Sequence, residues 1–72
     1  MKKISIVRAR RLFNEGRIIY LMPSKVRLDN PWIAPVGVAR REFSDSFEKT
    51  VNAYNYYNGA MGKATFWLEE ES

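Results

Sequence analysis

The densest group of side chains able to make specific contacts is the segment Asn-Ala-Tyr-Asn-Tyr-Tyr-Asn at residues 52–58. Tyrosine offers a large contact area at low entropic cost and is enriched at the energetic centres of protein interfaces. Helical spacing places Tyr54 in a core and directs Tyr56 and Tyr57 elsewhere. The segment predicts a protein interface at Tyr56 and Tyr57. The alternative is that both rings only cover a sheet and end a helix.

Two tryptophans are further candidates for a protein contact. Trp67 falls on the polar face of a predicted strand, and Trp32 follows a turn signal that ends at Pro31. An indole ring left in water is costly, so an exposed tryptophan is typical of an interface anchor. The alternative for Trp67 is that the first helix packs over it.

Basic residues are concentrated in the first part of the chain. Residues 1–41 hold ten Lys and Arg against two acids, whereas residues 42–72 hold two Lys against six acids. Arginines interleaved with aromatic residues are typical of a phosphate-binding surface. A solvated face is the alternative, because no groove-binding helix pair or RNA-recognition signature is present. The candidate phosphate contacts are Arg8, Arg11, Arg17, Arg27, Arg40 and Arg41.

Residues that usually perform catalysis or hold metals are missing or isolated. The chain has no histidine and no cysteine, which removes the commonest general base, the thiol nucleophile and the thiolate zinc ligand. Asp45 and Glu48 have the spacing of a helix cap. The segment Gly59–Lys63 follows a helix and lacks the Ser or Thr of a phosphate loop. We therefore expect no enzyme activity, no cofactor and no metal.

No segment predicts membrane insertion or export. The longest apolar run, residues 18–22, is far shorter than the roughly 20 residues that span a bilayer. Three arginines within residues 8–11 interrupt the place where the apolar part of a signal peptide would follow its basic start. Together with the lack of cysteine, these features predict a cytoplasmic protein.

The first part of the chain predicts the elements that position these residues. Ser5 is a suitable N-cap for a helix over residues 6–15, and Gly16 is a suitable left-handed stop. A competing interpretation is an opening strand at Lys3–Val7, because Ile and Val favour strands. The predicted core stripe of the helix is Ile6, Ala9, Leu12 and Phe13.

Three strands are predicted to follow. Residues 17–22 are rich in β-branched and aromatic side chains, which is typical of a buried strand. Residues 25–29 alternate with a period of two, which indicates a half-exposed strand. Residues 32–41 contain Pro35, and proline cannot donate the amide that a central strand needs. This last segment is therefore predicted to lie at an edge or to carry a bulge, and an edge offers a route to self-association.

The second helix is predicted over residues 46–58, with Gly59 and Gly62 ending it. Its N-cap is left open among three neighbouring residues. A final strand is predicted over residues 63–70, with an inward face at Ala64, Phe66 and Leu68. The alternatives for the N-cap are Ser44, Asp45 and Ser46.

The predicted order is helix, three strands, helix and strand. Strands that follow one another closely favour antiparallel pairing, and two helices on one face of such a sheet form two layers. The sequence thus predicts one α+β domain over residues 1–72, a small two-layer sandwich with a mainly antiparallel sheet of three or four strands. Residues 69–72 are predicted to be a frayed acidic tail.

Two segments, Leu28-Asp29-Asn30-Pro31-Trp32 and residues 52–58, resemble short uncharacterised proteins of phages and other mobile elements in Gram-positive bacteria. The likeness spans most of the chain, and that group has no activity to assign to any residue. The resemblance implies an accessory binding role in DNA metabolism or host interaction. We predict a protein-interaction module, with nucleic-acid binding through the basic part as the alternative.

Overall fold

Two helices pack on one face of a four-stranded antiparallel sheet, which confirms the predicted α+β sandwich. The computed structural model describes residues 1–26, 33–42 and 45–69. In chain order the elements are β1 (Lys2–Ile4), α1 (Ile6–Asn14), β2 (Ile19–Pro23), β3 (Val36–Val38), α2 (Phe47–Asn58), a 3₁₀ turn (Gly59–Met61) and β4 (Ala64–Leu68).

The sheet has the strand order β1-β4-β2-β3, and each neighbouring pair is antiparallel. Trp67 of β4 pairs with Lys3 on one side and with Tyr20 on the other, and Tyr20 pairs with Gly37. Directly paired residues point to the same face of a sheet. These four residues therefore lie on one face, which we call the outer face. The prediction that the Pro35 segment lies at an edge is confirmed by β3.

The inner face of the sheet and the two helices form one core. Phe47 of α2 lies between two other rings, with centroids 5.9 Å from Phe13 and 5.6 Å from Phe66. Burying a side chain of this size contributes roughly 1.5–3 kcal/mol. The buried cluster consists of Ile4, Ala9, Leu12, Phe13, Ile19, Leu21, Phe47, Val51 and Phe66.

The predicted helix is confirmed over Ile6–Asn14. The competing strand over Lys3–Val7 is wrong beyond Ile4, because β1 ends immediately before the helix cap. The Ser5 hydroxyl accepts from the Arg8 amide at 3.2 Å, and Gly16 ends the turn with a φ of 85°. The predicted core stripe is wrong at Ile6, which is 49% exposed. The first turn of α1 directly follows an edge strand, where few other residues are available to cover it.

Helix α2 begins after Ser46, whose hydroxyl accepts from the Lys49 amide at 3.0 Å. Asp45 has a different role. Its carboxylate accepts from the amides of Arg41 and Glu42 at 2.8 and 3.0 Å, which ties these two residues to the start of α2. These two hydrogen bonds hold the pKa of the Asp45 carboxyl below its usual value.

The segment after β2 differs from the strand predicted over residues 25–29. Lys25 and Val26 form a turn and a bend, and the rest of that predicted strand lies outside the described residues. The Ser24 amide donates to the Lys63 carbonyl and the Lys25 amide to that of Met61, both at 2.9 Å. These bonds join the end of β2 to the turn before β4.

Candidate functional site

The outward side of α2 presents the two tyrosines predicted as interface residues. Tyr56 is 83% exposed and Tyr57 is 82% exposed. Their rings meet edge to face, with centroids 5.4 Å apart and an interplanar angle of 86°. At 100° per residue, Tyr56 lies opposite the core residue Phe47. Neither ring covers the sheet, so the tyrosine pair is a surface feature.

Two smaller exposed residues adjoin this pair on the helix. Asn52 and Ala53 precede Tyr56 by four and three residues, so they share its side of the helix. Residues 50–62 contain no charged side chain in a chain that is 28% charged. Depletion of charge beside exposed aromatic rings is typical of the centre of a protein interface. We call Asn52, Ala53, Tyr56 and Tyr57 the α2 surface.

The remaining polar residues of the segment stabilise the helix end. The Asn55 side-chain carbonyl accepts from the Ala64 amide at 2.8 Å, and the Asn58 amide group donates to the Tyr54 carbonyl at 3.0 Å. The Tyr54 hydroxyl donates to the Leu21 carbonyl at 3.5 Å, and burial raises the pKa of this phenol. The inward part of the segment is therefore structural, whereas its outward part forms the α2 surface.

Trp67 is half-buried on the outer face of the sheet, away from both helices. Its indole Nε1 donates to Thr65 Oγ1 at 2.8 Å, and Thr65 Oγ1 donates to the Met22 carbonyl at 2.9 Å. The alternative that α1 packs over Trp67 is wrong, because α1 packs on the Phe66 face. Trp67 and the α2 surface lie on opposite sides of the molecule and cannot form one flat interface. Trp32 lies outside the described residues.

Tyr20 lies beside Trp67 on the outer face. Its hydroxyl donates to a Glu69 carboxylate oxygen at 3.3 Å, and the negative charge of Glu69 raises the pKa of the Tyr20 phenol. A β-carbon added at Gly37 would lie 3.2 Å from the Tyr20 ring. Glycine on the edge strand thus gives this ring the space to lie across β3.

Arg10 and Arg40 form side-chain contacts with other described residues. Arg10 Nε lies 3.0 Å from Glu48 Oε1. Arg40 Nη1 donates to the Asn14 carbonyl at 3.2 Å, and its Nε donates to the Glu42 carbonyl at 3.4 Å. Arg40 was a predicted phosphate contact, but here it satisfies a carbonyl at the C-terminal end of α1, where a cation is favoured by the helix dipole.

The other predicted phosphate contacts are exposed where the structure describes them. Arg8 and Arg11 lie on α1, Arg17 follows its end, and Arg41 adjoins that end from the segment after β3. Arg27 lies outside the described residues. A shallow depression of about 280 Å³ at the end of α1 is lined by Asn14, Glu15, Gly16, Arg40, Arg41 and Glu42.

This depression differs from a typical small-molecule site, because it carries charges of both signs and no aromatic ring. Across residues 1–26, 33–42 and 45–69, no group of three or more acidic side chains is placed to hold a metal ion. No helix within these ranges combines the length and the apolar character needed to cross a membrane.

Sequence reasoning missed several of the important residues, and only some of them had a signal that could have found them. Asn52 and Ala53 follow from helical spacing once Tyr56 is chosen. The Arg10 contact with Glu48 and the Asn55 bond to Ala64 join different elements, so no local pattern indicates them.

No family model, no curated protein and no solved structure matches the chain. The α2 surface and the exposed arginines are therefore the starting points for a functional proposal.

Proposed function

We propose that the protein is a non-enzymatic interaction module that binds another protein through the α2 surface. The observation that carries this proposal is the pair of neighbouring tyrosine rings, each more than four-fifths exposed, on the outward side of α2. Large exposed aromatic side chains gain free energy when a partner removes them from water, roughly 25 cal/mol for each Å² of apolar area.

The surroundings of the two rings support this role. Tyrosine loses little conformational entropy when it is immobilised, and its hydroxyl supplies a hydrogen bond at the rim of a contact. The edge-to-face arrangement restricts the two rings to a defined shape before any partner arrives. Ala53 leaves room beside them for a side chain of the partner, and Asn52 supplies an adaptable polar group.

The rest of the chain is consistent with an accessory binding role in the cytoplasm. The lack of cysteine suits a reducing compartment, and the lack of histidine removes the commonest general base. We extend the proposal to a role in DNA metabolism or host interaction, which a resemblance of residues 28–32 and 52–58 to phage and mobile-element proteins would imply.

The test compares proteins captured from a cell extract by the immobilised wild-type protein and by a Tyr56→Ala/Tyr57→Ala variant. A captured protein that depends on the tyrosines is then purified, and its affinity is measured by calorimetry. We expect the double substitution to weaken binding at least about 30-fold, which corresponds to the 2 kcal/mol typical of an interface hot spot.

The matched control is Ile18→Ala/Val36→Ala, which removes exposed apolar side chains that do not belong to the α2 surface. This variant should capture the same partner with unchanged affinity. A Tyr56→Phe/Tyr57→Phe variant separates ring contact from hydroxyl bonding. If the alanine variant captures every protein that the wild type captures, with the same affinity, the α2 surface is not the binding site and the proposal fails.

A further inference from the structure

The exposed side of α1 carries two arginines at neighbouring positions. Arg8 and Arg11 are three residues apart, which places them next to each other on a helix. At 100° per residue, Arg11 lies about 100° from the core residue Leu12, whereas Arg8 lies only about 40° from it, at the border of the core face. Both arginines are exposed. Neither guanidinium forms an ion pair with any residue in the described ranges. Two positive charges therefore lie side by side on this surface.

Arg8 and Arg11 lie on a different side of α1 from Arg10, which contacts α2. Arg8 and Arg10 lie about 160° apart around the helix axis. Arg10 turns towards α2 and pairs with Glu48, which leaves Arg8 on the opposite flank. The side of α1 that carries Arg8 and Arg11 is thus also separate from the α2 surface.

A third arginine extends this row at the C-terminal end of α1. Asn14 and Glu15 follow Arg11 by three and four residues, so they continue its side of the helix. Arg41 lines the same depression as Asn14 and Glu15, and its side chain is exposed. Arg8, Arg11 and Arg41 therefore form a basic row along α1, which Glu15 interrupts near its end.

We propose that this basic row binds the phosphate backbone of a nucleic acid. A guanidinium group presents a planar fork of donors that matches two phosphate oxygens and stays charged at any physiological pH. Two such groups on α1 and a third beside its C-terminal end can follow successive phosphates along a strand. No base-reading motif accompanies them, so the contact is directed at the backbone and is independent of sequence.

A membrane surface carries the same phosphate chemistry but fits the helix less well. A helix that lies in a membrane interface buries a broad apolar face among the lipids. In α1 that face is occupied by the core, which leaves Ile6 and Val7 as its exposed apolar side chains. The observations therefore favour a nucleic acid over a lipid surface.

The test measures fluorescence anisotropy of labelled oligothymidylate, duplex DNA and an RNA hairpin at increasing salt concentration. Three neutralised phosphates predict that affinity falls about 40-fold for the duplex and about 20-fold for the single-stranded probe between about 50 and 200 mM salt. An Arg8→Gln/Arg11→Gln variant should bind at least about tenfold more weakly at low salt, and its salt slope should fall by about two. Glutamine keeps the helix propensity, so circular dichroism should be unchanged.

The charge-matched control is Lys25→Gln/Lys63→Gln, which removes two exposed charges near the C-terminal end of α2, away from the basic row. It should retain most of the affinity. An equal loss in both variants would show general charge attraction and no site. Binding to none of the three probes at low salt, or binding to anionic phospholipid vesicles alone, would also overturn the proposal. Tyr56→Ala/Tyr57→Ala should leave nucleic-acid affinity unchanged, so the two proposals fail independently.

Discussion

Arg10 of α1 contacts two consecutive residues of α2. Its Nε lies 3.0 Å from Glu48 Oε1, and its guanidinium carbon lies 5.5 Å from the centre of the Phe47 ring. The ring belongs to the core, whereas the carboxylate is in the first turn of α2, where a negative charge also favours the helix. One arginine therefore joins the two helices at the border between core and solvent.

We expect Arg10→Ala to lower the free energy of unfolding by about 1 kcal/mol. Both side chains of the ion pair are about half exposed, at 46% and 61%, so water screens their attraction. The contact with the Phe47 ring contributes a similar small amount. Glu48→Gln should cost only about 0.5 kcal/mol, because it retains the ring contact. Urea unfolding followed by circular dichroism measures both, and an equal loss would contradict the contribution of the ring.

Asp45 predicts a specific loss of stability in acid. Hydrogen bonds from the Glu42 and Arg41 amides lower the pKa of its carboxyl below 3.8 in the folded protein. A lowered pKa contributes stability that is present above the unfolded value and lost as the pH falls through the folded value. Asp45→Asn should therefore be less stable than wild type at neutral pH, and the difference should shrink below pH 3.8.

The measurement for Asp45 is urea unfolding at neutral pH and at several values below 3.8. Glu15→Gln is the matched control, since it removes the same charge at the end of α1. If the wild type and Asp45→Asn lose stability in parallel across this range, the two amide bonds do not couple Asp45 to folding.

The hydrogen bond between Tyr20 and Glu69 predicts that the Tyr20 phenol titrates at a higher pH than a free tyrosine. The carboxylate charge and the hydrogen bond raise the pKa of Tyr20 above 10.0 in the folded protein. The stability contributed by this bond is thus present below pH 10.0 and is lost as the pH rises through the folded value. Glu69→Gln should return the pKa towards 10.0, as followed by phenolate absorbance. In a Tyr20→Phe background, Glu69→Gln should leave the phenolate titration unchanged, because the other raised phenol, Tyr54, owes its pKa to burial. A shift that persists in that background would assign the effect of Glu69 to another tyrosine.

Gly16 and Gly62 predict different responses to the same substitution. Both have a positive φ, 85° and 93°, which costs an L-residue about 1 kcal/mol. A β-carbon at Gly16 would meet no atom within 4 Å, whereas one at Gly62 would contact the Ser24 hydroxyl and lie 3.2 Å from Lys25 Cγ. Gly16→Ala should cost about 1 kcal/mol, and Gly62→Ala about 1–3 kcal/mol more.

Thermal unfolding of both alanine variants tests this difference. Ser24→Ala in the Gly62→Ala background should recover part of the loss, because it removes the nearest clashing atom while the backbone cost stays. Equal effects at the two glycines would show that the turn before β4 relaxes freely.

Periodicity and caps predicted the α+β class, both helices and the final strand, because those signals depend on residues a few positions apart. The exposure of the Ile6 side chain could not be predicted this way, since it depends on α1 following an edge strand. The sheet order was also beyond local patterns: β4 lies between β1 and β2, and nothing in residues 64–68 indicates these partners.

The same division holds for the candidate surfaces. The outward direction of Tyr56 and Tyr57 follows from helical spacing, and the structure confirms it. The placement of Trp67 on the opposite side of the sheet, and the engagement of Arg40 at the end of α1, depend on tertiary packing. The sequence therefore identified candidate side chains, and the fold determined which of them share a surface.

The central position of β4 affects how the protein can fold as it is synthesised. Of the four described strands, β1 is translated first, yet it pairs with β4, which the ribosome produces last. Until β4 emerges, β2 also lacks one of its two neighbours, and the nascent chain holds two incomplete edges. Such edges are sites of aggregation. Sheet closure must therefore follow release of β4 from the exit tunnel, so chaperone binding to the growing chain would be most useful before that moment.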